Sequence, residues 1–264
     1  MGSLSKAFRP VCFVTGASGY VGRALVPELL RAAERVQGRV VAHVRPGSSA
    51  LEACRQAFEP LGASLDSTPW DPTELTRSLS ELAPTHIFHL AGSTHARAKA
   101  EGLKLSASAT DLELFEHLLH AALQLEVAPR FTYLSSRGAA PRSRSAYLRV
   151  RHQCEQRLIA SGLPYTIARP GLITGPGRSP SRPGENFAAA LLRPLATGFE
   201  LIGLGGTGAL LRPFNAEEAA FGLVHAGFNY TTIGRVLQAD ELRYAQTKDR
   251  EWSGPLSRRD GQRY

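Results

Sequence analysis

The chain has 264 residues, of which 43% are hydrophobic and 20% are charged, and its formal net charge is +8 at pH 7. This hydrophobic and charged content is typical of a globular chain with one large core. The chain has only three cysteines, which argues against a disulfide scaffold. No apolar run is long enough to cross a bilayer and the first ten residues lack the apolar core of a signal peptide, so we expect a cytoplasmic protein.

Residues 10–30 predict a strand, a glycine-rich turn and a helix. An apolar run, Val11 to Val14, precedes the segment TGASGYVG at residues 15–22, and leucines at helical spacing follow. Gly16 permits the tight turn, Gly19 lets backbone N–H groups approach a pyrophosphate, and Gly22 lets the helix pack on the strand. The pyrophosphate would lie at the helix N-terminus, where free N–H groups favour negative charge. We therefore predict cofactor contacts from Thr15, Gly16, Ser18, Gly19, Tyr20, Val21 and Gly22.

The GxxGxxG spacing of this turn resembles that of the short-chain dehydrogenase/reductases. A second strand is predicted from Arg39 to Val44, and its end would lie beside the adenosine ribose. An acidic residue there would bind the 2′-hydroxyl of NAD, but the chain has Arg45, whose guanidinium suits a 2′-phosphate. We therefore favour NADP(H) over NAD(H), with an exposed loop residue as the alternative interpretation of Arg45.

A helix over 49–58 and a short strand over 64–70 follow. Asp71 then has two interpretations, which do not exclude each other. The pattern of Asp71, Pro72 and Glu74 is typical of a helix N-cap with a capping box. The family resemblance instead implies an acid against the adenine, and we favour the cap.

A buried strand is predicted from Thr85 to Leu90. The turn that follows resembles the small Ala-Gly turn of the superfamily, which implies that the cofactor ribose lies close to Leu90, Ala91 and Gly92. We interpret His89 as a core histidine. A long helix, Glu101 to Leu125, carries two histidines without an acidic set beside them, so we predict no metal site.

A fifth strand is predicted from Arg130 to Leu134, and the candidate catalytic residues follow it. Ser135 and Ser136 end the strand, and a helical segment from residue 144 places Tyr147 and Arg151 one turn apart on one face. This resembles the superfamily's serine and Tyr-x-x-x-Lys. The resemblance implies that Tyr147 exchanges a proton with the substrate oxygen, while Ser136 or, second, Ser135 orients the carbonyl.

Arg151 stands where the superfamily has lysine. Arginine keeps a positive charge and can still bind ribose hydroxyls, but it cannot pass on a proton. We therefore assign Tyr147 and Arg151 to both catalysis and cofactor binding. A packed aromatic residue remains the alternative for Tyr147.

The residues after the fifth strand resemble a more specific group within the superfamily. Residues 135–139, 147–151 with Glu155, 169–171 and 181–185 resemble the Tat-interacting oxidoreductase-like proteins, which are atypical short-chain dehydrogenases. We include Pro170, in the turn after a sixth strand at 163–168, among the cofactor-binding residues.

We expect an α/β, Rossmann-type doubly wound parallel sheet with a small C-terminal substrate lobe. Residues 1–170 would form the NAD(P)-binding domain, 171–246 a lobe that contributes back to it, and 247–264 a mobile tail. The predicted function is an NADP-dependent oxidoreductase acting on a carbonyl or alcohol. A sugar-nucleotide epimerase or dehydratase, and a non-catalytic NADP(H)-binding regulator, are the alternatives.

The expected partner is a small-molecule substrate, and an anionic group on it would suit the basic chain. The arginines form no nucleic-acid motif and do not alternate with aromatic residues, so we expect neither nucleic acid nor membrane as a partner. A homodimer is compatible with the resemblance.

Overall fold

The computed structural model describes residues 9–34, 36–92, 107–176 and 212–248. Within these ranges, seven parallel strands form one sheet in the order β3-β2-β1-β4-β5-β6-β7. The strands are β1 (Val11–Thr15), β2 (Arg39–His43), β3 (Ser64–Asp66), β4 (His86–His89), β5 (Arg130–Leu134), β6 (Tyr165–Ala168) and β7 (Arg235–Leu237). This is the expected Rossmann-type fold.

Helices connect the strands and cover the sheet on both faces. They are α1 (Tyr20–Glu34), α2 (Leu51–Phe58), α3 (Pro72–Leu82), α4 (Ala107–Leu123), α5 (Ala146–Ala160), α6 (Ala216–Phe228) and α7 (Ala239–Lys248), with short 3₁₀ turns at Glu59–Leu61 and Tyr230–Thr232.

The core lies in two layers because alternate strand residues point to opposite faces. In β1, Cys12 and Val14 pack into the layer under α1 and α6, while Phe13 packs into the layer under α3, α4 and α5. Strands buried on both faces explain the continuous apolar runs of the sequence.

The strand order reverses at β1, which lies between β2 and β4. In open α/β sheets, ligands bind outside the carboxyl ends of the strands at such a switch point. Thr15 pairs with His89, and His89 pairs with Tyr133. The turns after β1, β4 and β5 therefore meet at one edge.

Most predicted elements are present, with shifted ends. The strand predicted over 64–70 ends at Asp66, whose carboxylate accepts a bond from the Thr68 hydroxyl at 2.7 Å and turns the chain. The described part of the long helix is α4, and residues 93–106 lie outside the described chain.

The described part of the predicted C-terminal lobe, residues 212–246, supplies α6, β7 and most of α7. Strand β7 and helix α7 were not predicted, and α7 includes the first two residues of the predicted tail. Residues 177–211 and 249–264 are not among those described.

Within the described ranges, no helix has both the length and the apolarity that a bilayer crossing requires. The three cysteines are buried free thiols. Burial raises the pKa of the Cys154 thiol to about 11, so this thiol stays protonated and unreactive at neutral pH.

Candidate active site

The glycine turn joins β1 to α1 and lies against the turn that follows β4. Gly16 has a φ of 73°, and a Cβ there would lie 2.8 Å from the backbone nitrogen of Ala91. A Cβ on Gly22 would overlap the carbonyl oxygen of Gly16. Both glycines are therefore required by close backbone approach, as the sequence predicted.

The start of α1 fits the pyrophosphate of a dinucleotide. The N–H groups of its first turn have no acceptor within the helix, and the helix dipole favours an anion there. A Cβ on Gly19 would lie 3.1 Å from the Gly16 carbonyl oxygen, which is closer than an ordinary contact, so glycine suits this position. Val21 is buried in the core and offers only its backbone to a ligand.

Tyr20 and Ser18 have identifiable contacts beside the same turn. The Tyr20 hydroxyl donates to the Thr174 carbonyl at 3.3 Å, and the Arg23 guanidinium donates to the Ser18 carbonyl at 3.2 Å. Tyr20 thus connects the glycine turn to the segment after β6.

The Gly22→Ala substitution should weaken binding of a nicotinamide dinucleotide by at least about tenfold, because the new methyl group would push α1 away from the turn predicted to hold the pyrophosphate. Gly171→Ala is the matched control, since a Cβ there would lie 3.8 Å from the Phe214 ring, an ordinary contact. Fluorescence titration with NADPH would measure both affinities. Equal affinity of Gly22→Ala and wild type would show that this turn does not hold the nucleotide.

Arg45 is exposed in the turn that follows β2, where the 2′-substituent of an adenosine ribose would lie. Asp71 is exposed at the start of α3, and its Oδ1 accepts from the backbone N–H groups of Thr73 at 2.9 Å and Glu74 at 3.1 Å. The predicted N-cap is confirmed, but the described contacts of Glu74 do not include the bond to the Asp71 N–H that the predicted capping box requires. The Glu74 carboxylate pairs with Arg77 at 2.6 Å.

Thr15 and His89 join β1 to β4 below the turns. The Thr15 hydroxyl and the His89 Nδ1 are 2.8 Å apart and both residues are buried. Burial, followed by the nearby Arg151 cation, lowers the pKa of His89 to about 3, so its ring is neutral at physiological pH. His89 is the core histidine that the sequence predicted, and the Thr15 side chain is directed to the same core contact.

Tyr147 and Arg151 lie on one face of α5, as the four-residue spacing predicted. The Arg151 guanidinium carbon is 4.9 Å from the centroid of the Tyr147 ring, and Tyr147 is half-buried. Arg151 is only 6% exposed. The two residues, one helical turn apart, therefore form a cation–π contact.

The partners of Arg151 were not predicted from the sequence. Its Nη1 donates to the Tyr133 hydroxyl at 3.0 Å and to the Leu134 carbonyl at 3.3 Å. Its Nη2 lies 3.7 Å from Oδ2 of Asp111 on α4. The guanidinium thus contacts β5 and α4 as well as Tyr147.

Gly92 contributes to this contact. A Cβ on Gly92 would overlap the Arg151 Nη2 and lie 3.2 Å from the Asp111 Oδ2. Gly92, which we expect to let the cofactor ribose lie close, therefore also makes room for the guanidinium. Leu90 and Ala91, in the same turn, are half-buried, and the Leu90 N–H donates to the Thr15 carbonyl at 3.2 Å.

The two candidate serines have different surroundings. Ser135 is 3% exposed and donates to Glu155 Oε1 at 2.5 Å. Glu155 is itself buried and accepts two bonds from Arg169, at 2.8 Å and 2.5 Å. Ser136 is half-buried, and its hydroxyl lies 3.4 Å from the Arg137 carbonyl, a weak contact. This favours Ser136 as the hydroxyl available to a substrate.

Pro170 is buried beside the serines, and its carbonyl accepts from the Arg137 N–H at 3.0 Å. Among the described residues, no group of three or more histidine, cysteine or acidic side chains could hold a metal ion. His117 instead has its Nδ1 3.3 Å from the Trp70 carbonyl.

Comparisons with known proteins agree with this architecture. The model of the NAD dependent epimerase/dehydratase family matches residues 12–226. No curated protein matches the sequence.

Similar solved structures include a putative epimerase from Burkholderia cenocepacia, with a TM-score of 0.60 and 19% identity over 89% of this chain and 80% of that one. The UDP-glucose 4-epimerase of Thermotoga maritima, solved with UDP-glucose, has a TM-score of 0.60 and 17% identity. The match covers 86% of this chain and 76% of that one. The UDP-glucose 4-epimerase of Thermus thermophilus, solved with NAD, has a TM-score of 0.58 and 19% identity. The match covers 90% of this chain and 81% of that one.

Proposed function

The chain belongs to the NAD-dependent epimerase/dehydratase family, within the extended short-chain dehydrogenase/reductases, and on that premise we propose that it is an NADP(H)-dependent oxidoreductase for a carbonyl or alcohol substrate. The observation that carries this proposal is Tyr147, half-buried at the carboxyl edge of the sheet with a guanidinium against its ring. A phenol so placed suits general acid–base work.

Each residue has a defined part in the proposed reaction. The Tyr147 hydroxyl holds the proton that is exchanged with the substrate oxygen. Ser136 donates a hydrogen bond to the same oxygen and orients it. The Arg151 cation stabilises the phenolate when the proton leaves. A bound nicotinamide would supply the hydride donor or acceptor.

The cofactor would be held by the glycine turn and by Arg45. Backbone N–H groups of the turn would donate to the pyrophosphate, and the Arg45 guanidinium would donate to a 2′-phosphate. The absence of an acidic residue directly after β2 supports NADP(H) over NAD(H).

Replacing Arg45 by alanine should weaken NADPH binding about ten- to hundredfold, the effect of losing one charged hydrogen-bonding partner, and should leave NADH affinity unchanged. Arg39→Ala is the control, because Arg39 is an exposed arginine at the opposite end of the same strand. Calorimetric titrations of the two variants with both nucleotides would measure the effect. Equal losses for NADPH and NADH would remove Arg45 from the 2′-phosphate site.

The direct test is oxidation of NADPH with a panel of aldehydes and ketones, including members that carry a carboxylate or phosphate. The expected result is substrate-dependent loss of absorbance at the nicotinamide band, eliminated in Tyr147→Phe. Turnover that persists unchanged in Tyr147→Phe would overturn the assignment of the acid–base residue.

A sugar-nucleotide epimerase is the second candidate, and the family and the similar UDP-glucose 4-epimerases favour it. Such an enzyme recycles its nicotinamide, so it would interconvert UDP-sugars without net change in nicotinamide absorbance. Nucleotide retained through purification, together with UDP-glucose conversion, would establish it.

A non-catalytic nucleotide-binding regulator is the third candidate, because Arg151 replaces lysine and has internal partners. Activity that appears only in Arg151→Lys would support this candidate. Wild-type turnover would eliminate it.

A further inference from the structure

Positive charge is concentrated in the loop between β5 and α5 and in the first turn of α5. Residues 136–150 contain four arginines and no acidic residue, whereas the whole chain has 31 basic and 23 acidic residues. The four arginines are all exposed: Arg137, Arg142, Arg144 and Arg149. The charge of this segment is therefore not balanced along the chain.

Exposed arginines elsewhere in the described structure are commonly paired with a nearby glutamate. Such pairs are Arg31 with Glu28, Arg55 with Glu52, Arg77 with Glu74, Arg157 with Glu116, Arg212 with Glu218 and Arg235 with Glu241. By contrast, no carboxylate of the described residues forms an ion pair with Arg142 or Arg144. These two charges are not balanced in space either.

The two buried acids of the candidate site do not supply the missing charge, because each has its own arginine. Oδ2 of Asp111 lies 3.7 Å from Nη2 of Arg151. Glu155 accepts a bond from the Nε of Arg169 at 2.8 Å. The loop therefore gives this edge of the sheet an excess of positive charge.

Hydrogen bonds to backbone carbonyls hold the loop in place. Nη1 of Arg149 donates to the Ser143 carbonyl at 2.7 Å and to the Arg144 carbonyl at 3.1 Å. The Arg137 N–H donates to the Pro170 carbonyl at 3.0 Å. The backbone that carries the exposed arginines is thus already ordered, which lowers the entropy cost of binding a ligand.

The loop borders the candidate active site. It begins at Ser136, and it ends at Ser145, whose hydroxyl accepts from the Leu148 N–H at 3.5 Å and caps α5. Tyr147 follows two residues after this cap. A Cβ on Gly138 would lie 3.5 Å from Leu148 Cδ1, so the start of the loop packs on the first turn of α5. An anionic group bound by the loop would therefore lie beside the proposed acid–base residue.

We propose that the arginines of this loop bind a phosphoryl group of the substrate, so that the carbonyl or alcohol compound on which the enzyme acts is phosphorylated. This inference rests on the proposed function and names the substrate class for it. Guanidinium groups bind phosphate oxygens through paired, charge-assisted N–H donors. Several arginines suit a phosphate monoester, which carries up to two negative charges, better than a carboxylate, which carries one.

The first test is a calorimetric titration with inorganic pyrophosphate of the wild type and of the double variant Arg142→Gln/Arg144→Gln. Both arginines lie outside the residues assigned to catalysis and to the nicotinamide cofactor. Loss of two exposed charged donors should weaken pyrophosphate binding by about tenfold. Pyrophosphate also suits the glycine turn, so the quantity that counts is the difference between proteins that all retain this turn.

The double variant Arg55→Gln/Arg77→Gln is the matched control. It also removes two exposed positive charges, but from α2 and α3, where both arginines are paired with glutamates. Its affinity for pyrophosphate should stay within about twofold of the wild type, because solvent and salt screen distant exposed charges. Unchanged affinity in Arg142→Gln/Arg144→Gln, or equal losses in the two double variants, would overturn the proposal.

The second test compares carbonyl compounds in phosphorylated and unphosphorylated pairs, such as glyceraldehyde 3-phosphate and glyceraldehyde, as substrates for NADPH oxidation. In the wild type, kcat/KM should be at least about tenfold higher for the phosphorylated member. This ratio should fall toward one in Arg142→Gln/Arg144→Gln and persist in Arg55→Gln/Arg77→Gln. Absence of a preference, or a preference that survives Arg142→Gln/Arg144→Gln, would overturn the proposal.

The two tests separate this inference from the proposed function. Pyrophosphate binding that depends on Arg142 and Arg144, without turnover of any carbonyl compound, would defeat the oxidoreductase proposal while the phosphoryl-binding loop stands. Turnover that depends on Tyr147, without an effect of the loop arginines on phosphorylated substrates, would defeat the substrate class alone.

Discussion

Tyr147→Phe is expected to lower kcat for carbonyl reduction by at least about a hundredfold while NADPH affinity stays within about twofold of the wild type. The substitution removes only the hydroxyl. The remaining ring can keep its contact with the Arg151 guanidinium, whose carbon lies 4.9 Å from the ring centroid. The fold and the cofactor cradle should therefore be preserved while the proton donor is lost.

Steady-state kinetics and a nucleotide titration on the same preparation would separate these effects. Tyr230→Phe is the control, because Tyr230 is 63% exposed and lies directly after α6, away from the glycine turn. Its kcat should match the wild type. A Tyr147→Phe protein with wild-type kcat would remove Tyr147 from the acid–base role, and one that loses nucleotide binding would make its hydroxyl a contact of the cofactor.

Arg169→Met should lower the free energy of unfolding by about 3–5 kcal/mol, the largest loss of stability expected at this edge of the sheet. Arg169 donates two hydrogen bonds to Glu155, whose side chain is 1% exposed. Its removal leaves a buried carboxylate that accepts from the Ser135 hydroxyl and has the His152 Nδ1 3.8 Å away. An uncompensated buried charge is what makes the change severe.

Urea unfolding followed by circular dichroism would measure the loss. Arg157→Met provides the comparison, since Arg157 on α5 makes an exposed pair with Glu116 and should contribute less than about 1 kcal/mol. Equal, small losses of unfolding free energy in both variants would contradict this prediction. The contact among Ser135, Glu155 and Arg169 would then contribute little to stability.

Local spacing made the first half of the site predictable. The strand, turn and helix around Gly16 and Gly22 are contiguous, and Tyr147 and Arg151 are one helical turn apart, so sequence periodicity alone brings these groups together. The cap formed by Asp71 was predictable for the same reason.

The second half depends on contacts between distant segments. Asp111 reaches Arg151 only because α4 packs beside α5, and Glu155 reaches Arg169 only because β6 lies next to β5. An aspartate in the middle of an amphipathic helix carries no local signal of a buried partner. The close approach of Gly92 to the Arg151 guanidinium was missed likewise, because the two residues belong to distant segments.

Strand β7 was missed for a different reason. It has only three residues, Arg235–Leu237, and its first residue is exposed, so it shows neither an apolar run nor an alternation. Its pairing with β6 becomes apparent only in the sheet.

The measurement that tests the central claim most directly is a calorimetric titration of the purified protein with NADPH and, separately, with NADH. The glycine turn and Arg45 together predict that NADPH binds at least about tenfold more tightly than NADH. Binding of neither nucleotide, by protein that carries none from purification, would contradict the account and reduce the glycine turn to a structural element.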